Sequence, residues 1–168
     1  NLSGYHGFLG PALEPLPAAR ELIRDTQIVR DGLGTLLMRL KAHDDGVAVL
    51  YSMPSTYIAH FDGNPTYGDY KRDHDAWRKL LHGAGLQFSY VTDRMLRVGE
   101  FAASRFKVLL LPLAFAMSEK EAAAIRNFVQ AGGAVIADVR PALYDGHAKP
   151  LAQGLLDDMF GIRRGGKR

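Results

Sequence analysis

The 168-residue chain contains no cysteine. Disulfide frameworks, thiolate zinc sites, iron–sulfur clusters and cysteine nucleophiles are excluded together. Long hydrophobic runs are also missing: none approaches the roughly 20 residues that a bilayer-spanning helix needs, so no membrane partner is expected. The opening residues, NLSGYHGFLG, lack the charged-then-apolar order of a signal peptide. The chain has no initiator Met and stops in Gly165-Gly166-Lys167-Arg168, so it reads as a segment of something larger. That leaves the compartment of the parent open, with a cysteine-free segment compatible with the cytoplasm. Charge of one sign is scarce as well. Lys plus Arg number 21 and Asp plus Glu 18, and four of the positives, Arg163, Arg164, Lys167 and Arg168, fall in the last six residues. The body is therefore close to neutral, without the basic footprint of a nucleic-acid binder.

What is present is an ordinary globular composition, 47% hydrophobic, 10% aromatic and 23% charged, enough to bury a core. Residues 1–45 read as a linker and a long helix. Gly4, Gly7, Gly10, Pro11, Pro15 and Pro17 forbid a regular element at the start. From 18 to 41, apolar residues recur at helical period, predicting an amphipathic helix that needs a partner surface, with Gly32 and Gly34 marking a bend or a close approach. Residues 46–162 form the predicted α/β domain, and 163–168 a basic tail. Four short apolar runs, 47–51 (VAVLY), 86–91 (LQFSYV), 108–111 (VLLL) and 134–137 (AVIA), read as interior strands covered on both faces. Helices are expected at 70–83 and from 118 to about 131. The second opens on the capping box Ser118-Glu119-Lys120-Glu121 and ends at Gly132-Gly133. A last amphipathic segment is expected at 151–160. Strands alternating with helices imply an open, mainly parallel sheet with helices on both faces, a flavodoxin-like arrangement.

Ligands in such sheets bind outside the carboxyl ends of the strands. The candidate ligand-binding residues are accordingly Ser52 and Ser55 after the first strand, Asp93 after the second, and Asp138 and Arg140 after the fourth. Asp93 and Asp138 also occupy positions from which a carboxylate pair could act on a glycoside. The loop 52–56 is rich in hydroxyls but has no Gly, and Pro54 removes an amide, so it is a poor phosphate cradle. Loop 112–117 is apolar and reads as buried. The pair Asp44-Asp45 precedes the first strand, at the wrong end for receiver-type magnesium chemistry. No Gly-flanked Ser offers a nucleophile elbow, and Ser118 is better used as a cap. The histidines at 6, 43, 60, 74, 82 and 147 include no i, i+4 pair, so no metal site is expected, and no cofactor. Residues 59–69, with His60, Asp62, Asn64 and Tyr67, and Tyr70 nearby, have the aromatic and amide composition of a sugar contact, a subunit interface or a plain surface loop.

Four stretches carry a resemblance: IVRDGLGTLLMRLKAHDDGVAVLYS, AWRKLLHGAGLQFSYVT, FKVLLLPLAFAMSEKEAAAIRNFVQAGGAVIAD and LLDDMFGI. Together, over residues 27–162, they resemble the middle, or trimerisation, domain of family 42 β-galactosidases, whose fold is similar to that of class I glutamine amidotransferases. The resemblance implies an upstream catalytic (β/α)₈ barrel bearing the catalytic Glu residues, and a homo-oligomer, a trimer, in the parent. No part of this chain matches the barrel motifs, so no catalytic residue is carried over. The amidotransferase Cys would be expected near Val139-Arg140, where neither Cys nor Ser stands. The expectation is a non-catalytic assembly domain of a glycoside hydrolase, shaping a neighbouring subunit's active-site mouth. Two other readings stand beside it: a small-ligand or flavin-binding module, and an amidase-like enzyme.

Overall fold

The computed structural model describes residues 8–41, 43–62 and 69–165. The chain divides into two compact units, Asn1–Ala42 and His43–Arg168. In the first, residues 8–16 close a tight turn, in which Gly10 N–H donates to Glu14 O at 2.8 Å and Leu9 bridges Pro15. Pro17 then starts helix α1 (Pro17–Asp25), where its missing N–H costs nothing. The single long helix expected here is broken. Thr26 caps α1 while its hydroxyl donates back to Leu22 O at 2.6 Å. A π-helical turn, Val29–Leu33, follows, with Gly32 at φ 143°, and then a short α2 (Gly34–Arg39). Gly32 supplies the positive φ that breaks the helix. A Cβ on Gly34 would strike the Val29 carbonyl oxygen, so both glycines are built into the kink. Leu22, Ile23, Ile28, Leu36, Leu37 and Met38 are exposed.

The second unit carries the sheet. Its strands are β1 (Val47–Tyr51), β2 (Phe88–Thr92), β3 (Val108–Leu111) and β4 (Ala134–Ala137), all parallel in the order β2-β1-β3-β4. The helices are α3 (Met53–Asp62), α4 (Tyr70–Gly83), α5 (Asp93–Arg97), α6 (Glu119–Gln130) and α7 (Asp157–Phe160). The two-residue period of the central strands sorts their side chains between two layers. Val47, Val49 and Leu110 face α4, joining Leu81 and Trp77. Ala48, Leu50, Leu109 and Leu111 face α5 and α6, joining Leu96, Ala122, Ile125 and Phe128. A third cluster, Ile58, Tyr70, Leu113, Phe115 and Ala116, lies at the carboxyl end of the sheet. This is the expected parallel α/β architecture with helices on both faces.

Several details differ from expectation. Only β1 and β3 are interior; β2 and β4 are the edges. Ile136 on β4 is 48% exposed, because the segment after β4 packs Ala142 and Leu156 against the α6 layer and leaves the α4-side face of the edge strand open. The hydroxyl-rich stretch after β1 is not a loop: residues 53–56 form the first turn of α3. Thr92-Asp93-Arg94 is likewise no plain turn, since Thr92 caps α5, accepting from Met95 N–H at 3.3 Å. Within 151–160 only the single turn of α7 is helical. Arg164, placed in the basic tail, instead folds back in a bidentate pair with Asp157, 2.7 Å for each bond. Of residues 59–69, the first four belong to α3 and Asp69 caps α4, while Asn64 and Tyr67 lie outside the described residues.

The capping box of α6 forms as read. Ser118 Oγ accepts from Glu121 N–H, and Glu121 Oε2 accepts from Ser118 N–H at 2.8 Å. The other oxygen of Glu121 receives Arg97 at 2.7 Å, which fastens α5 to α6. At the far end Gly132 adopts φ 96°, and Gly133 N–H closes on Phe128 O at 3.0 Å. Ser118→Ala is expected to lower stability by about 1 kcal/mol. An unchanged urea midpoint would show that the hydroxyl caps nothing.

Candidate functional site

In the sheet order β2-β1-β3-β4, β1 connects outward to β2 and β3 connects outward on the other side to β4. The topological switch point, where this fold class places ligands, therefore lies between the carboxyl ends of β1 and β3. Here it is filled by the chain itself. Ser52 and Ser55, both buried, hydrogen bond through their hydroxyls at 2.9 Å. Ser55 Oγ accepts from Ala116 N–H at 3.0 Å and faces Ala116 O at 3.3 Å, linking the start of α3 to the loop after β3. Ser52 N–H donates to the Tyr70 hydroxyl at 2.9 Å. Burial, partly offset by the hydrogen bonds of that hydroxyl, pushes the Tyr70 phenol up to about 12, so it stays protonated.

The two carboxylates named from sequence are occupied in the same way. Asp138 Oδ1 accepts from Leu113 N–H at 2.8 Å and from Val139 N–H at 2.6 Å, and Oδ2 accepts from the Trp77 indole N–H at 3.3 Å. Asp93 Oδ1 accepts from Met53 N–H at 3.4 Å, and Oδ2 pairs with Arg97 at 3.2 Å. Arg140 takes φ 49° and lays its guanidinium 5.6 Å from the centre of the Phe115 ring. Ser52, Ser55 and Asp138 thus converge on the carboxyl ends of β1, β3 and β4, and Asp93 reaches the same end through Met53. Each binds the protein's own backbone, and Asp93 and Asp138 belong to different local networks.

Leu113 follows β3 with φ 39°, a strained position for a residue with a β-carbon. This turn has the backbone conformation that can thrust a nucleophile out of a sheet, but its side chain is an aliphatic group that is 1% exposed. It supplies no attacking atom. Asp44 and Asp45 lie at the opposite, amino end. Asp44 accepts from Gly46 N–H and pairs with Arg105, and Asp45 accepts from Gln87 N–H at 2.7 Å. A hollow of about 340 Å³ near Phe106, Phe128 and Gly133 also lies towards that end. Among the described residues no group of three His, Asp or Glu is placed to hold a metal ion. No helix among them is long and apolar enough to cross a membrane.

Two residues to which the sequence reading gave no role stand beside this end of the sheet. His74, on α4, is buried among Tyr51, Tyr70 and Tyr90, with ring centroids at 5.7, 4.3 and 6.3 Å. Among the described residues neither of its ring nitrogens has a hydrogen-bond partner. Burial holds its pKa below the usual imidazole value, against the pull of Asp138 and Asp75. Asp73, one residue earlier, has its Oδ2 buried without a donor. Burial and the adjacent Asp138 raise its pKa to about 7. The spacing Tyr70, Asp73, His74, Trp77 was the available signal: i, i+3, i+4 and i+7 of one helical face.

No family model matches the sequence, and no curated protein matches it. Solved structures do. A β-galactosidase from Bifidobacterium adolescentis aligns over 73% of this chain and 56% of its own length, at 24% identity and a TM-score of 0.61. Gan42B, a GH42 β-galactosidase, aligns over 92% of this chain and 22% of its own, at 18% identity and 0.64. The β-galactosidase of the psychrophilic Marinomonas ef1 aligns over 91% and 23%, at 16% identity and 0.62. At these identities the likeness is one of fold, and the chain spans little more than half of the first of these proteins and under a quarter of the other two.

The Ser55 clamp can be tested directly. Ser55→Ala leaves the buried Ala116 N–H without its acceptor, and is expected to cost about 1–3 kcal/mol. A denaturant midpoint within error of the parent chain would mean that the switch point is held by packing alone.

Proposed function

We propose that this chain is a non-catalytic α/β domain of a larger glycoside hydrolase of the β-galactosidase type. In this reading it corresponds to that family's middle domain, with its amidotransferase-like fold. It adjoins a catalytic barrel and serves the assembly of a homo-oligomer, a trimer, in which it shapes the mouth of a neighbouring active site.

One observation carries the reading. At the carboxyl ends of the strands, where this fold would hold a ligand, the hydroxyls of Ser52, Ser55 and Tyr70 and the carboxylates of Asp93 and Asp138 are bonded to the chain's own backbone. What remains offers neither an activated nucleophile nor a spaced acid and base facing solvent. The likeness to β-galactosidases that are far longer than the aligned part supports a domain of such an enzyme. The exposed apolar residues of α1, α2 and the π-turn between them support a role in contacts.

The test has two arms. The chain alone, given a chromogenic β-galactoside or glutamine, is expected to release neither chromophore nor ammonia; turnover of either overturns the non-catalytic reading. In the polypeptide that carries it, sedimentation is expected to show an oligomer that dissociates when this segment is deleted. An oligomer that survives the deletion overturns the assembly role.

A further inference from the structure

A place where two carboxyl groups meet inside the fold needs an explanation that the assembly reading does not supply. Asp138 turns both oxygens to donors: the amides of Leu113 and Val139 on one, the Trp77 indole on the other. Trp77 lies one helical turn after Asp73 on α4, so the indole bond brings the Asp73 carboxyl to the same point. Asp73 stands within hydrogen-bonding reach of Asp138, yet its buried Oδ2 receives no N–H or O–H from any described residue. A buried acceptor facing a second acceptor is satisfied only if a proton lies between them. The three N–H donors already serve Asp138, so the proton resides on Asp73 and is donated to its neighbour.

We propose that Asp73 and Asp138 form a one-proton latch that fastens α4 to the carboxyl ends of β3 and β4. Loss of the proton releases the first half of the helix. The latch spans the fold: Asp138 joins the loop after β3 to the end of β4, while α4 carries Tyr70, whose hydroxyl holds the Ser52 amide at the end of β1. Opening it therefore loosens the aromatic cluster of Tyr51, Tyr70, His74 and Tyr90 as well.

Among the described residues, the charged and titratable groups around the latch are few. From the sheet side Asp138 faces Asp73. On α4 itself stand His74 and Asp75, and the rings around His74 are Tyr70 of α4, Tyr51 of β1 and Tyr90 of β2. Arg140, two residues after Asp138, is directed over Phe115. The sign follows from linkage. An acid with a raised pKa keeps its proton in the folded chain where the unfolded chain has lost it. Its contribution is therefore complete at pH below the ordinary carboxyl range and fades as pH rises towards 7 and beyond. His74 acts oppositely and at lower pH: held neutral by burial, it favours the unfolded state as pH falls through the usual imidazole range. The two effects separate above pH 7, where only the latch is still titrating.

Trp77 is the only tryptophan in the chain and touches the latch, so its fluorescence reports on it directly. The wild-type chain is expected to show a shift of emission with a midpoint near pH 7, together with faster amide exchange over residues 70–77 at pH 8.5 than at pH 6 after correction for the intrinsic rate. Asp73→Asn places an amide N–H where the acid proton was, so it is expected to keep the low-pH emission across the range and to lose the fall in melting temperature that the wild-type chain shows between pH 7 and 8.5. A second measurement needs no variant: the Asp73 carboxyl carbon, followed by NMR in the wild-type chain, is expected to titrate at about pH 7. Trp77 emission that is flat from pH 6 to 8.5, an Asn variant that keeps the wild-type pH profile, or an Asp73 carboxyl that titrates below pH 5 each overturns the latch.

Discussion

Backbone amides at the buried carboxyl ends of the strands must find acceptors inside the protein, and the rest of the second unit is arranged around that demand. Parallel strands covered on both faces release their last N–H groups into an apolar layer. Here the third hydrophobic cluster, with Leu113, Phe115 and Ala116, packs over that end. Five polar side chains meet the demand: Tyr70 for the amide of Ser52, Ser52 for Ser55, Ser55 for Ala116, Asp138 for Leu113 and Asp93 for Met53. The crevice that other sheets of this class leave for a ligand is thereby traded for internal bonding.

Periodicity made the fold legible. The run VAVLY has no polar position and fits a strand buried on two sides, and Val47 to Leu50 are buried, alternating between the two layers. The capping box was equally plain, because both of its bonds are local. The edges were not. AVIA looks like VLLL in composition, but β4 ends the sheet and leaves Ile136 open on one face, a fact set by where residues 138–156 travel afterwards. Strand interior and strand edge differ in tertiary surroundings, which a short run of residues does not encode.

The candidate site was half legible for a related reason. Ser52, Ser55 and Asp138 could be placed at the carboxyl ends of strands because position after a strand is a sequence property. Ser52 accepts locally, from Ser55 N–H three residues on, but the Ala116 and Leu113 amides that Ser55 and Asp138 hold lie 61 and 25 places away, so that part of their role had no local signature. Asp73 was missed altogether. On α4 it reads as one more charged residue in a polar helix, and only the folded chain brings it to Asp138. Asp138 in turn was read as half of a pair with Asp93, whereas the carboxyl it meets comes from a helix.

The kink in the first unit argues in the same physical terms. An apolar stripe from Leu22 to Leu40 kept at helical spacing would give a straight amphipathic rod, yet Gly32 breaks it at φ 143° and Gly34 accepts the approach of the Val29 carbonyl. A glycine in mid-helix costs about 1 kcal/mol relative to alanine, so two of them, two residues apart, weaken the rod at one place. The stripe is thus split into two short faces set by the kink, each too brief to be a stable helix in isolation. Surfaces of that kind gain their stability from what they pack against, and the exposed leucines of this unit are the apolar area that the kink leaves open.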